Sequence, residues 1–223
     1  GKPTGIDIEG ELPGVLPSRE WKRQRFAGPQ YREEHRKWYL GDSISAGIGQ
    51  GYTAFTPMQL AHAIAAIAND GIAFEPHLVQ RIEDARTRET RVVDRHPPTA
   101  IPVRPEHLAV IRNALVQVNK EGTSAAAFKD APYTSGGKTG TAQVFSLKGD
   151  EYKAHKVDER LRDHAWYVAY APADKPAIAV EFVDSDASPA DPGEPYQAHL
   201  TDRFGAKQTA TPNGAASASP ALR

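Results

Sequence analysis

The stretch that decides the fold runs from residue 133 to 145 and reads Tyr133-Thr134-Ser135-Gly136-Gly137-Lys138-Thr139-Gly140-Thr141-Ala142-Gln143-Val144-Phe145. Two glycines stand before Lys138, and apolar and polar residues alternate over 142–147. Such alternation predicts a half-buried β-strand. We therefore expect Lys138, Thr139 and Gly140 at consecutive positions of a strand edge that lines a pocket.

The three central residues are suited to binding a carboxylate. Lys138 supplies a positive charge and Thr139 supplies a hydroxyl donor. Gly140 has no side chain, so another backbone or a ligand can come close to the strand. The tripeptide alone is weak evidence, because a surface turn can carry the same three residues by chance.

Bulk composition limits the function classes. The 223 residues make one ordinary domain or part of a larger one, and 39% hydrophobic content is enough for a core. A net charge of −1 gives no electrostatic footprint for nucleic acid, and the lack of cysteine excludes disulfides and thiolate metal sites. We expect no cofactor. Because the chain opens on Gly1 rather than Met, we expect targeting information upstream.

Two helices have clear local signals. Thr56, Pro57 and Gln59 form a predicted capping box with proline at the first helical position, which starts a helix over 57–69. Gly71 is its predicted left-handed cap. A second helix is predicted over 105–120. Its expected buried face comprises Leu108, Ile111, Leu115 and Val118.

Strand patterns surround these helices. Residues 142–147, 165–171 and 177–183 predict an antiparallel meander, which with the helices gives an α+β fold. Residues 74–79 and 91–93 predict two further short strands. From Asp184 onward the chain is rich in Pro, Ala, Ser and Gly. We therefore divide it into a folded part, 1–183, and a disordered tail, 184–223.

Several short patterns resemble known binding motifs, but the surrounding sequence argues against each of these interpretations. Gly47-Ile48-Gly49-Gln50-Gly51 lacks the spacing of a dinucleotide-binding loop, so we interpret it as a turn. Pro132 occupies the first glycine position that a Walker A loop would need. The basic residues over 21–37 are interrupted by acidic ones and predict a solvated surface. His62 has no partner at ligand spacing, so we expect a satisfied surface or core residue.

The order of these motifs carries a family resemblance. The segments 47–51 and 56–61, the run 138–143 and the charged segment 154–164 together resemble class B penicillin-binding proteins. Within that family they are most similar to the elongation-specific peptidoglycan D,D-transpeptidases, the penicillin-binding protein 2 group. The resemblance covers about 1–183. It implies an incomplete penicillin-binding protein transpeptidase fold, similar to that of serine β-lactamases, with helices packed on an antiparallel sheet.

The resemblance also implies a reaction and roles for four residues. In this family a serine attacks the D-Ala-D-Ala end of a peptidoglycan stem peptide, an acyl-enzyme forms, and β-lactams acylate the same serine. Lys138 would place positive charge beside the substrate carboxylate, and Thr139 would donate to it. Gly140 would let the ligand pair along the strand, and the Thr141 N–H would be an oxyanion donor.

We expect the nucleophile itself to be absent from the chain. The one literal Ser-x-x-Lys, Ser135 to Lys138, contains two glycines and reads as strand, so it is a decoy. The family order places the nucleophile upstream, and we expect the isolated chain to be inactive. A serine β-lactamase and a non-catalytic interaction module or degenerate copy are the alternatives.

The resemblance implies a location and partners as well. We expect the periplasmic face of a bacterial inner membrane, with an anchor outside this chain, and cell-elongation membrane proteins as partners. We expect no nucleic-acid partner. The tail at 184–223 departs from the family, which usually ends in a helix packed on the sheet.

Overall fold

A computed structural model describes residues 1–143 and 163–184, and within them helices pack around small antiparallel sheets. Within those ranges no helix is long and apolar enough to cross a membrane. The helices are α1 (Arg19–Arg25), α2 (Glu33–Arg36), α3 (Leu40–Gly47), α4 (Pro57–Ala68), α5 (Pro105–Lys120) and α6 (Ala125–Phe128). The strands are β1 (Ile72–Ala73), β2 (Arg81–Glu83), β3 (Thr90–Val92), β4 (Thr99–Ala100), β5 (Gly136–Ala142), β6 (His164–Ala171) and β7 (Ile178–Asp184).

The central sheet has the order β5-β6-β7, and both pairings are antiparallel, as predicted. Its first strand starts at Gly136, six residues before the predicted start, because the two glycines are part of the strand and not of a turn before it. Residues 144–147 of the predicted strand lie outside the described residues. The last strand includes Asp184, so the predicted tail begins one residue too early, and 185–223 lie outside the described residues.

Helix α4 forms as its local signals predict. The Gln59 N–H donates to Thr56 Oγ1 at 3.2 Å, and the Thr56 N–H donates back to Gln59 Oε1 at 3.0 Å. The predicted left-handed turn after the helix forms, but it includes Asp70, with a φ of 52°, as well as Gly71, with a φ of 82°. Ile64 and Ala68 of α4 pack with Tyr170 of β6, so the helix covers one face of the sheet.

Helix α5 has the predicted bounds, but the prediction of which residues form its buried face is partly wrong. Leu108 is buried, whereas Ile111 is 39% exposed. Asn119, which the pattern did not include, is 4% exposed. The helix packs mainly against β5, and the buried hydroxyl groups of Ser135, just before β5, and of Tyr167 in β6 are polar partners for Asn119. The hydrophobic pattern alone does not show those partners.

The predicted strand at 74–79 does not exist. The Asp7 carboxylate accepts hydrogen bonds from the N–H groups of Leu78 and Val79, at 2.6 and 2.8 Å. A distant side chain therefore takes backbone donors that strand pairing would need, and β1 and β2 lie on either side of this segment. The prediction at 91–93 is confirmed to within one residue, since β3 ends at Val92.

Two buried tyrosines of β6 fill the space beside the paired glycines of β5. Tyr170 lies opposite Gly136, and a Cβ there would be 2.7 Å from its ring. A Cβ on Gly137 would overlap the Tyr167 hydroxyl. Both tyrosines have no solvent exposure. The glycines are required because the rings occupy the volume that a side chain would need.

We predict that alanine is tolerated at the exposed end of β5 but not at its start. Gly136→Ala and Gly137→Ala should each lower the free energy of unfolding by about 2–4 kcal/mol, because the clash is with buried rings and backbone. Gly140→Ala is the matched control. Its Cβ would lie 3.6 Å from Trp166 Cβ, an ordinary contact, so we expect a change of about 0.5 kcal/mol or less. Denaturant unfolding of the three variants measures this, and equal losses at all three positions would contradict it.

Candidate functional site

The open edge of β5 is the candidate site. Within the described residues β5 pairs only with β6, so its other edge carries unpaired backbone groups. Lys138 Nζ donates to the Thr139 carbonyl at 2.7 Å, and Gln50 Nε2 donates to the Thr141 carbonyl at 3.1 Å. Residues two apart in a strand direct their N–H and C=O groups to the same edge. Thr139 and Thr141 therefore both face the open edge.

The four residues predicted to bind substrate lie together on this strand. Lys138, Gly140 and Thr141 are exposed, and Thr139 is half-buried. Side chains alternate between the two faces, so Lys138 projects from one face and Thr139 and Thr141 from the other. The predicted strand edge is therefore confirmed, while the role of each residue stays a prediction.

Thr123 was not identified from the sequence. It follows α5, and its hydroxyl lies 3.2 Å from the hydroxyl of Thr139. Lys138 Nζ is 3.5 Å from the same Thr139 oxygen. The Thr139 hydroxyl therefore has two polar neighbours that limit its orientation. Thr123 and Thr139 are 16 residues apart, and no local sequence signal links them.

Gln50 reaches the site from the turn between α3 and α4. The Gln50 N–H donates to the Ser45 carbonyl at 2.8 Å. Gly49 and Gly51, on either side of it, have φ values of 77° and 72°. The glycine-rich segment is thus a turn, as predicted. Its contact with a strand 91 residues away was not predictable from local patterns.

A buried lysine anchors that turn. Lys22 is 4% exposed and pairs with Asp42 at 2.6 Å, and its ammonium group lies 5.4 Å from the centre of the Tyr52 ring. Burial alone would raise the pKa of Asp42, but the Lys22 ammonium and the Tyr39 N–H outweigh it and lower that pKa. Because Tyr52 lies two residues after Gln50, these contacts hold the turn in place.

The prediction of a solvated surface over 21–37 is wrong for Lys22, which is buried. Other cations of this region line an open cleft of about 700 Å³, namely Arg19, Arg23, Arg36 and Lys37.

A buried polar network holds the start of β5 to α5. Asn119 Nδ2 donates to Ser135 Oγ at 2.8 Å, and the Tyr167 hydroxyl donates to Asn119 Oδ1 at 2.6 Å. Burial raises the pKa of Tyr167 to about 12, so it stays a donor at neutral pH. Ser135 is 5% exposed and precedes an extended strand. The prediction that Ser135 and Lys138 do not share a helical turn is confirmed.

His62 is a satisfied surface residue, as expected. Its Nε2 lies 2.9 Å from the Phe74 carbonyl, and the residue is half-buried.

Comparisons with known proteins give the family. The family model described as the penicillin-binding protein transpeptidase domain matches residues 1–202. The chain belongs to the penicillin-binding protein transpeptidase family. The resemblance seen in the sequence is thus confirmed, and the family match continues past residue 183, where the resemblance was expected to end.

Two curated relatives of this transpeptidase domain are peptidoglycan D,D-transpeptidases named MrdA. The Escherichia coli K12 protein is 40% identical over 187 residues, which cover 82% of this chain and 28% of that protein. The Haemophilus influenzae protein is 41% identical over 189 residues, covering 84% and 28%. The chain therefore spans less than a third of the length of these relatives.

Solved structures agree with the fold. Pseudomonas aeruginosa PBP2 in complex with WCK 5153 has a TM-score of 0.64 and 32% identity, covering 89% of this chain and 39% of that one. The complex between PBP2 and MreC from Helicobacter pylori has a TM-score of 0.62 and 27% identity, covering 82% and 29%. The predicted penicillin-binding protein transpeptidase fold is confirmed.

One buried carboxyl in this transpeptidase domain was not predicted. Glu181 of β7 lies opposite Val168, which lies opposite Lys138, so the three share one face of the sheet. Both carboxyl oxygens of Glu181 are buried without a hydrogen bond of normal geometry in the described residues. Burial raises the pKa of Glu181 to about 8, although the Ala61 N–H opposes this rise.

We predict that Asn119 stabilises the strand through its polar contacts. Asn119→Ala removes the buried partner of Ser135 and one partner of Tyr167, so we expect a loss of about 1–3 kcal/mol in unfolding free energy. Asn113→Ala, at an exposed position of the same helix, should change it by about 0.5 kcal/mol or less. In a double-mutant cycle, Tyr167→Phe should reduce the cost of Asn119→Ala. Strictly additive losses would show that the two side chains are not coupled.

We predict that Glu181 lowers the stability of the folded chain as the pH rises. Its folded-state pKa is raised, so the folded chain holds the proton more tightly than the unfolded chain, and stability falls as pH rises from about 4.5 to 8. Because the residue is half-buried, we expect a cost of about 1–2 kcal/mol after allowing for solvent screening. Glu181→Gln should remove that loss, while Glu89→Gln, at an exposed position, should not. Melting temperatures at pH 5 and pH 8 measure this. An unchanged difference between the two pH values in Glu181→Gln would refute it.

Proposed function

We propose that this chain supplies the carboxylate-binding edge of a serine-type peptidoglycan D,D-transpeptidase. The observation that carries the proposal is the exposed Lys138-Thr139-Gly140-Thr141 edge of β5. It occurs in a chain that is 40% identical to the Escherichia coli peptidoglycan D,D-transpeptidase MrdA. The substrate is the D-Ala-D-Ala end of a stem peptide, and β-lactams bind at the same edge.

Each residue has a chemical role in this proposal. Lys138 provides a positive charge that attracts the ligand carboxylate, and the Thr139 hydroxyl donates to it. Thr123 supports this role because it lies within hydrogen-bond distance of that hydroxyl. Gly140 leaves room for the ligand main chain. The Thr141 N–H faces the open edge, where it can stabilise the oxyanion of the tetrahedral intermediate.

The nucleophile in this proposal lies outside residues 1–223. Ser135 is the serine of the chain's one Ser-x-x-Lys run. It is buried, and its hydroxyl oxygen accepts a hydrogen bond from Asn119 Nδ2. A serine in that position cannot meet a ligand that pairs along the open edge. The serine that forms the acyl-enzyme therefore comes from another part of the natural protein, and the isolated chain is inactive.

The location and partners follow from the same family membership. We place the protein at the periplasmic face of a bacterial inner membrane, held by a segment outside this chain. The Helicobacter pylori relative was solved in complex with MreC. That complex supports a protein partner of this kind, and we propose that such partners are membrane proteins of cell elongation and that the protein has a role in cell shape.

The test is the acylation of the intact natural protein by a penicillin. Thr139→Val removes one charge-assisted hydrogen bond, worth about 1.5–3 kcal/mol, so the second-order acylation rate should fall about 10- to 150-fold. Lys138→Ala should cost at least as much. Thr90→Val, an exposed strand threonine away from the site, is the control and should leave the rate unchanged. All variants should keep nearly the same melting temperature.

Two outcomes would overturn the proposal. Unchanged acylation in both Thr139→Val and Lys138→Ala would make this edge a structural strand. A wild-type protein that is never acylated would favour the non-catalytic module instead.

A further inference from the structure

The open edge of β5 is occupied by the protein's own side chains. The Thr139 carbonyl accepts from Lys138 Nζ, and the Thr141 carbonyl accepts from Gln50 Nε2. A ligand that adds to this edge as a strand needs backbone acceptors there. Binding in that mode therefore requires at least one of these side chains to move.

The two donors differ in how they are held. Lys138 is the neighbour of Thr139 in sequence, so it can release the carbonyl and still keep its charge at the edge. Gln50 comes from a turn 91 residues away, and its neutral amide contributes no charge. If the Gln50 amide moves away, the Thr141 carbonyl becomes free for a ligand N–H.

The backbone around Gln50 is held by several contacts, whereas its half-buried side chain reaches Thr141 through an exposed hydrogen bond. The Gln50 N–H is bonded to the Ser45 carbonyl, and Tyr52 packs against the ring of Trp21 with centroids 5.3 Å apart. Just after the turn, Ala54 forms a backbone bridge with Val15. The contact with Thr141 is at the exposed surface and not in the core. Rotation of a glutamine side chain is sufficient to break it.

We propose that Gln50 is a displaceable cap on the ligand-binding edge. In the free protein its amide satisfies the Thr141 carbonyl, and on binding a ligand N–H replaces it. This inference rests on the proposed function, in which the ligand pairs along β5. The cap makes the site selective, because a ligand regains the lost hydrogen bond only if it presents an N–H opposite Thr141.

The cap should weaken the first binding step and leave the chemical step alone. Removing the competing donor should lower the dissociation constant of the initial penicillin complex by about 2- to 10-fold, the effect of one neutral hydrogen bond. The limiting acylation rate should stay the same, because the cap is already displaced in the complex that reacts.

The experiment is stopped-flow acylation of the intact natural protein over a range of penicillin concentrations, which separates the two constants. Gln50→Ala removes the cap, and Gln50→Met removes the donor while keeping a side chain of similar length. Both should show the lower dissociation constant. Gln24→Ala, an exposed glutamine on α1, should show the wild-type values. Melting temperatures of all variants check that the turn stays folded.

The outcomes separate this inference from the proposed function. If the wild type is acylated and both Gln50 variants keep its dissociation constant, the cap is wrong and the function stands. If the limiting rate falls instead, Gln50 positions the strand and the cap is also wrong. If the wild type is not acylated at all, the proposed function fails and the cap fails with it.

Discussion

The packing of Tyr167 and Tyr170 beside Gly136 and Gly137 is the constraint on which the site depends. The rings occupy the space that side chains on β5 would fill, so only glycine fits at these two positions opposite β6. Asn119 then joins Tyr167 and Ser135, which fixes the start of β5 to α5. These contacts do not involve the other edge of β5, which has no strand partner within the described residues.

The electrostatics of the edge are local. A net charge of −1 gives the chain little overall attraction for an anion, so in the proposed function Lys138 acts on the ligand carboxylate at short range. Glu181 lies on the same face of the sheet two strands away, but burial raises its pKa to about 8, which favours the neutral form at neutral pH. A neutral Glu181 does not compete with a ligand carboxylate for Lys138.

The sequence predicted correctly those elements that are stabilised by contacts between residues close together in the chain. The capping box of Thr56 and Gln59 started α4, the motif at Lys138 identified the strand edge, and the order of several motifs gave the family. The predictions that were wrong depend on contacts between residues far apart in the sequence. Asp7 takes backbone donors of the segment at 74–79, and Asn119 can be buried because the hydroxyl groups of Ser135 and Tyr167 are its hydrogen-bond partners. Gln50 and Thr123 reach the edge through the tertiary fold, which no local pattern records.

The central claim is that a ligand adds to β5 as a further strand. Residue-resolved amide hydrogen exchange of the intact natural protein, with and without bound penicillin, tests it most directly. We predict slower exchange at the outward-facing N–H groups of Thr139 and Thr141, and little change at Lys138 and Gly140, which face β6. Unchanged exchange at Thr139 and Thr141 in a protein that has bound the ligand would contradict the claim.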